Sequence, residues 1–436
     1  MIFTAENNNT NLGVKQAKSN ETVKNTRQIG RNIHDNKNSK QKQSKKIFSR
    51  RINILIVCVC LILFITAVIL VKTSQPQKKN LKLMGFSFME NDKFGLMDKT
   101  GDILISAIYD ERIYSFSEKL AFVALNGKFG YIDKNGAQKI NMAFDSARAF
   151  SEKLAAVSVD GLWGYINTKG DFVIPAQFDN AYSFSEGLAA VKISGTWGYI
   201  DKKGAIKINP QYDTVWNFSN GLAAVQKNGL WGLINKKGKS ITEIEYEEIE
   251  KSFDKPIILA KKNGCYGYID QKGKTKINFD YKNAGIFSGK LCRVCENELY
   301  GYIDKSDDYK IKAMYLEASD FSEGLAFVLD SDNSELYGII DQKGKKIINA
   351  QFSGYKNFKS GVAPVSIEGK WGVIDKKGRY IINPQYFAIS DFNSNLAIVR
   401  LGNKVGVIDK KGKVVIDIKY DNNDSQNYYG LSMVLE

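Results

Sequence analysis

From about residue 84 onward the chain alternates short apolar runs with polar turns on a fixed beat. In the specimen stretch Gly187 to Val225, LAAVKIS is apolar and bounded by Ser194-Gly195. WGYI follows at once, and Asp201-Lys202-Lys203-Gly204 then turns the chain into AIKIN. Short β-prone runs joined by glycine-containing connections predict antiparallel hairpins. Each unit is therefore expected to be a three-stranded meander, closed by Pro210-Gln211-Tyr212-Asp213 and a bend at Phe218-Ser219-Asn220-Gly221.

The glycine after the aromatic marks each copy: Gly95, Gly130, Gly164, Gly198, Gly232, Gly267, Gly301, Gly338, Gly372 and Gly406. Successive spacings are 34 or 35 residues, with one of 37. A period of this size predicts a tandem-repeat architecture. Glycine inside a strand marks a place where another backbone or a ring comes close. The two residues after it are apolar (Tyr199 and Ile200, Leu233 and Ile234, Val373 and Ile374), so this strand is expected to be covered on both faces. A lone meander cannot supply that cover, and neighbouring repeats must stack. Turns of the form Asp/Asn-x-Lys-Gly end on glycines such as Gly204 and Gly378, where positive φ is cheapest for glycine.

The recurring (K/L)WGYIDKKG, INPQYD and FSEGLAAV resemble the WG-containing repeats, also called KWG repeats, of bacterial proteins, over roughly Lys82 to Glu436. The chain departs from that pattern where Phe94, Phe129, Tyr266, Tyr300, Tyr337 and Val405 replace the tryptophan, and where Pro256 stands in the FSEG slot. The resemblance implies an exported or envelope protein with a binding surface and no catalytic residue set. The fold class is thus all-β, a tandem array of about ten three-stranded meanders. An open, superhelical array is favoured over a β-propeller-like one, because propeller blades carry four strands in about 40–45 residues. Gly430–Val434 repeats the LAAVK slot without a hairpin partner to follow it, and is expected to cap the last repeat.

Residues before the array read differently. Residues 1–51 are rich in Asn, Lys, Ser and Gln and poor in aromatics, which predicts a disordered basic tail. Ile54 to Val71 carries no charge, and with Ile52 and Asn53 it reaches the roughly 20 residues a spanning helix needs. No small-residue cleavage site follows, so an uncleaved transmembrane helix over 52–71 is expected rather than a signal peptide. Lys45, Lys46, Arg50 and Arg51 precede it and place the N-terminus in the cytoplasm, with the array outside the cell membrane. Residues 72–80 form a polar linker to an array over 81–436.

Charge changes this picture little. Most of the formal +15 lies before the array, which is itself nearly neutral, with its lysines concentrated in turns. That pattern argues against nucleic acid as a partner.

Candidate chemistry is sparse. The single histidine is His34, so the array offers no histidine for a nucleophile triad or a metal site. Cys292 and Cys295 form a C-R-V-C on a strand, where residues three apart face opposite ways, and are expected to be structural. The acidic run Thr242 to Glu250 reads as the wet face of a strand, with carboxylate chemistry at Glu243 or Glu245 as the remaining route to catalysis. The turn aspartates, such as Asp201 and Asp375, read as turn formers rather than calcium ligands. No enzyme activity, cofactor or metal is expected. One slot, two residues before the FSEG phenylalanine, is not dictated by the core and holds Tyr114, Tyr182 and Trp216. These are the candidate ligand contacts, since such rings combine apolar area with a polar tip. The expected function is a membrane-anchored, surface-displayed binding or adhesion module for protein or envelope-glycan partners. The alternative is a structural scaffold of the envelope.

Overall fold

The computed structural model describes residues 82–251, 253–331, 335–422 and 430–436. The expected tail at 1–51, transmembrane helix at 52–71 and linker at 72–80 lie outside the described residues. Among the described residues no helix is long and apolar enough to cross a membrane. Leu81–Glu436 forms one compact unit, and every regular element in its described part is a β-strand.

Repeats are numbered by their strand glycine, so that Gly95 belongs to repeat 1 and Gly406 to repeat 10. Repeat 4 shows the common plan. A short strand Asn180–Ala181, an apolar strand Leu188–Ile193, a WG strand Thr196–Asp201 and an edge strand Ile206–Tyr212 pair in that order. The expected three-strand meander is corrected here, because a fourth, two-residue strand lies just before the FSEG bend, which itself falls where it was expected. Pro210 also lies inside the edge strand. Proline is tolerated there because that strand has a free side and is bulged. Trp197 pairs with Tyr212, but two residues on, Tyr199 pairs with Ile208. The surplus residues buckle over Gly198, where a Cβ would stand 2.5 Å from the Ile208 carbonyl oxygen and 2.6 Å from Pro210 N. The predicted close approach is therefore to the edge strand of the same sheet.

Each edge strand runs directly into the next repeat. Tyr212 ends one and Thr214–Val215 begins the next short strand. Between repeats 7 and 8 the two merge into one continuous strand, Tyr309–Ala318. Adjacent sheets then pack face to face, which explains the doubly apolar WG strand. Tyr199 packs forward with Val215, Phe218 and Val225 of repeat 5. Ile200 packs backward with Tyr165, Ile174 and Phe178 of repeat 3.

The same interface recurs between repeat 10 and repeat 1. Leu396, Ile398, Val405 and Val407 share one core with Leu83, Phe86, Phe88 and Met97. The last strand, Leu431–Leu435, pairs antiparallel with the first, Leu83–Glu90, and Lys82 and Glu436 exchange two backbone hydrogen bonds of 2.9 Å. Turn contacts agree: Gly204 lies against Ile174 of the preceding repeat, and Gly101 of repeat 1 lies against Ile416 of repeat 10 in the same way. The expected open array with a capping last strand is corrected accordingly. Gly430–Val434 finds its partner at the far end of the chain, so that repeats 1 and 10 are neighbours.

The acidic run is not the regular strand expected of it. Only Glu248–Ile249 is a strand, and Tyr246 makes an isolated bridge to Trp231. Glu245 pairs with Lys262 at 2.9 Å, Glu248 with Lys261 at 3.2 Å, and Glu247 accepts the Gly264 N–H at 2.9 Å.

Candidate functional site

The residue slot singled out by sequence follows each short strand. In repeat 4 the backbone N–H of Tyr182 donates to the carbonyl of Ala190 on the apolar strand, which turns the ring toward the tryptophan of the WG strand. Tyr182 stacks on Trp197 with centroids 4.6 Å apart and planes at 24°. Trp216 meets Trp231 in repeat 5 at the same 4.6 Å. Tyr114 lies 6.0 Å from Phe122, which in turn lies 6.3 Å from Phe129, in repeat 2. The three candidates thus occupy equivalent places in repeats 2, 4 and 5.

Their exposure differs. Tyr114 is 46% exposed, whereas Tyr182 and Trp216 are half-buried against the cores of their interfaces. Cations link the repeats. The Arg148 guanidinium of repeat 3 lies 4.9 Å from the Trp163 ring and 5.2 Å from the Tyr182 ring. Its Nε donates to the Ala181 carbonyl at 2.8 Å and one terminal nitrogen to Asn180 Oδ1 at 3.3 Å. Lys251 of repeat 6 sits 5.6 Å over Trp216. A row of aromatic edges and cationic heads therefore runs from repeat 2 to repeat 6. Such a row suits the apolar faces of sugars or peptide side chains, with the cations drawn to anionic substituents.

In later repeats the slot changes character. Gly285 leaves space that the Asp320 carboxylate fills, since a Cβ on Gly285 would stand 2.0 Å from Asp320 Oδ1. Arg293 faces that carboxylate at 3.6 Å and covers the Tyr300 ring. Burial raises the Asp320 carboxyl above its ordinary range, against the pull of Arg293 and Lys255. Nearby, the Tyr268 hydroxyl donates to the Gly285 carbonyl at 2.7 Å, and Cys292 Sγ lies 3.2 Å from the same hydroxyl. Burial pushes the Cys292 thiol up to about 12, which suppresses the nucleophilic thiolate. Cys292 and Cys295 are both buried free thiols on their strand.

The turn aspartates are saturated by their own loops. Asp201 Oδ1 accepts the N–H of Lys203 at 2.9 Å and of Ala205 at 3.0 Å, while Oδ2 faces Lys207 Nζ at 3.0 Å.

Sequence reasoning missed the groups that stitch one repeat to the next. The buried tyrosine after the strand glycine donates across the interface: Tyr165 to the Tyr182 carbonyl at 2.8 Å, Tyr199 to the Trp216 carbonyl at 2.7 Å. In the FSEG bend, Ser185 Oγ donates to the Phe218 carbonyl at 2.7 Å and the Glu186 carboxylate accepts the Gly221 N–H at 2.9 Å. Recurrence at the repeat period was the available signal. Each of these groups meets a different slot of the next repeat, so the letters alone do not separate a bend former from a cross-link.

The repeat pattern matches the family model described as WG containing repeat ten times, from 94–129 through 163–197 and 197–231 to 406–424. The chain belongs to the WG containing repeat family. No curated protein matches it. Among solved structures, one described as a eukaryotic initiation factor is 14% identical, with 69% of this chain and 94% of that one covered and a TM-score of 0.41. PorZ of Porphyromonas gingivalis is 12% identical over 74% of this chain and 54% of its own, with a TM-score of 0.25. Hsv2p of Kluyveromyces lactis is 12% identical over 49% and 78%, with a TM-score of 0.31. None superposes closely enough to carry an argument about this WG repeat chain.

Proposed function

We propose that this WG repeat protein is a binding module, held at the outer face of the cell membrane by the apolar segment 52–71 and recognising a protein or envelope-glycan partner. The observation that carries the reading is the aromatic and cationic row from Tyr114 to Lys251, in which one position of the repeat varies while the packing positions around it do not. Tyr114 offers the most open ring of the row, and Arg148 and Lys251 supply charge beside half-buried rings. The array performs no reaction of its own in this reading, and needs no cofactor. The structural scaffold remains the second reading, because Tyr182 and Trp216 already stack on rings of their own repeats. A glycan array together with a peptidoglycan pull-down, using soluble 81–436, separates the two. Retention of a glycan, weakened at least tenfold by Tyr114→Ser with Arg148→Gln, supports the binding module. Absence of glycan binding, with capture of an envelope protein that this double variant does not disturb, favours the scaffold.

A further inference from the structure

The two ends of the strands present different chemistry. At one end lie the Asp-x-Lys-Gly turns and the FSEG bends, which touch across repeats, as Lys202 and Glu152 do at 2.9 Å. At the other lie the hairpins that join apolar and WG strands. There acidic groups hold the turns: Asp179 accepts the Gly195 N–H and Asp213 the Asn228 N–H.

On the first rim several turn aspartates pair with a lysine or arginine further along the chain, as with Lys207 on Asp201, Lys276 on Asp270 and Arg379 on Asp375. At those turns the third residue is then surplus charge. Lys203, Lys237, Lys272, Lys343, Lys377 and Lys411 are exposed, and among the described residues their ammonium groups have no partner. Beside them the edge strands begin with solvent-facing apolar residues, Ile103 at 60% and Ile206 at 50% exposure, with Phe172 and Val414 in the same position. Lysines fringed by exposed apolar side chains are the composition of a surface that settles into a lipid headgroup region. The chain also enters on this rim. Lys82 pairs with Glu436, and Gly85 lies opposite Asp98 at the start of the first turn.

We propose that the lysine-turn rim docks on an anionic phospholipid surface, with the ammonium groups against lipid phosphates and the apolar fringe at the level of the headgroups. The proposal does not depend on the expected membrane anchor. It is independent of what the aromatic row binds.

The test is co-sedimentation of 81–436, whose described interfaces all close within that segment, with vesicles of phosphatidylcholine alone or with 30% phosphatidylglycerol. Binding to the anionic vesicles only, lost at high salt, is the expected result. Replacing Lys203, Lys237, Lys377 and Lys411 by Gln should weaken it on the order of a thousandfold, with an unchanged melting temperature because these ammonium groups have no partners. Ile103→Ser with Ile206→Ser should weaken it further at low salt, through loss of the apolar fringe. Lys128→Gln with Lys370→Gln on the hairpin rim should leave it unchanged. Equal binding to neutral vesicles overturns the proposal. So does binding to soluble polyphosphate without binding to vesicles, or loss caused by the hairpin-rim variant alone.

Discussion

Gly198 has no room for a methyl group. The bulged edge strand crosses it so closely that Gly198→Ala drives Cβ into the Ile208 carbonyl and the Pro210 nitrogen, both backbone atoms that cannot step aside. A loss of about 3 kcal/mol is expected, read as a lower denaturant midpoint for 81–436. The tyrosine one place later acts by hydrogen bonding instead. Tyr199→Phe keeps the buried ring and leaves the Trp216 carbonyl without its donor. That costs about 1–3 kcal/mol, measurable by the same denaturation. Asp201 makes a pH-dependent contribution. The Lys207 ammonium, with the N–H groups of Ala205 and Lys203, holds its carboxyl below the usual range. Because the folded value lies below that of the unfolded chain, this stabilisation is complete above the ordinary carboxylate pKa of about 3.9. It is lost as pH falls through the folded value. The melting temperature of wild type should therefore fall more steeply below pH 4 than that of Asp201→Asn, and parallel acid curves would refute this.

At the scale of elements, the strand Leu431–Leu435 matters more than its length suggests. It supplies Leu431 to the core between repeats 10 and 1, and Val434 to the core between repeats 1 and 2. Ending the chain at residue 429 should strip cover from Leu83, Phe86 and Phe88 and leave the first strand with a bare edge, which is a template for association. Hydrogen exchange checks this directly. Amides of Leu83–Glu90 are expected to lose protection in the truncated chain, while those of the central strands Leu188–Ile193 and Thr196–Asp201 keep theirs. Uniform loss throughout would mean that closure supports the whole array cooperatively.

For the whole molecule, polarity between rims is the consequence of repetition. A turn residue that is lysine in one copy contributes one charge, and the same residue repeated places its charges along one rim. The nearly neutral total of the array conceals this segregation, because acidic groups gather at the hairpin end. Membrane topology belongs to the same scale. In spheroplasts carrying the full chain with an N-terminal tag, external protease should degrade the array and spare the tag, as expected of a cytoplasmic N-terminus; a protected array would exclude the outward-facing arrangement.

The letters alone determined the period, the all-β class, the apolar WG strand buried on both faces and the glycine that something must approach. Each of these follows from local rules, in which alternation, turn chemistry and a missing Cβ act within a few residues. Tyr114, Tyr182 and Trp216 could be grouped by slot for the same reason. Tertiary structure decided where partners lie a whole repeat or the whole chain apart. The two-residue strand Asn180–Ala181 is too short to show a pattern and exists because Val191 and Lys192 offer it a partner. Tyr182 and Trp216 are half-buried against their interface cores, while Tyr114 stays open. The pairing of Leu431–Leu435 with Leu83–Glu90 depends on the turn accumulated over all the repeats between them. No single repeat encodes that sum, so the unpartnered last copy looked like a cap until the fold brought its partner from the other end.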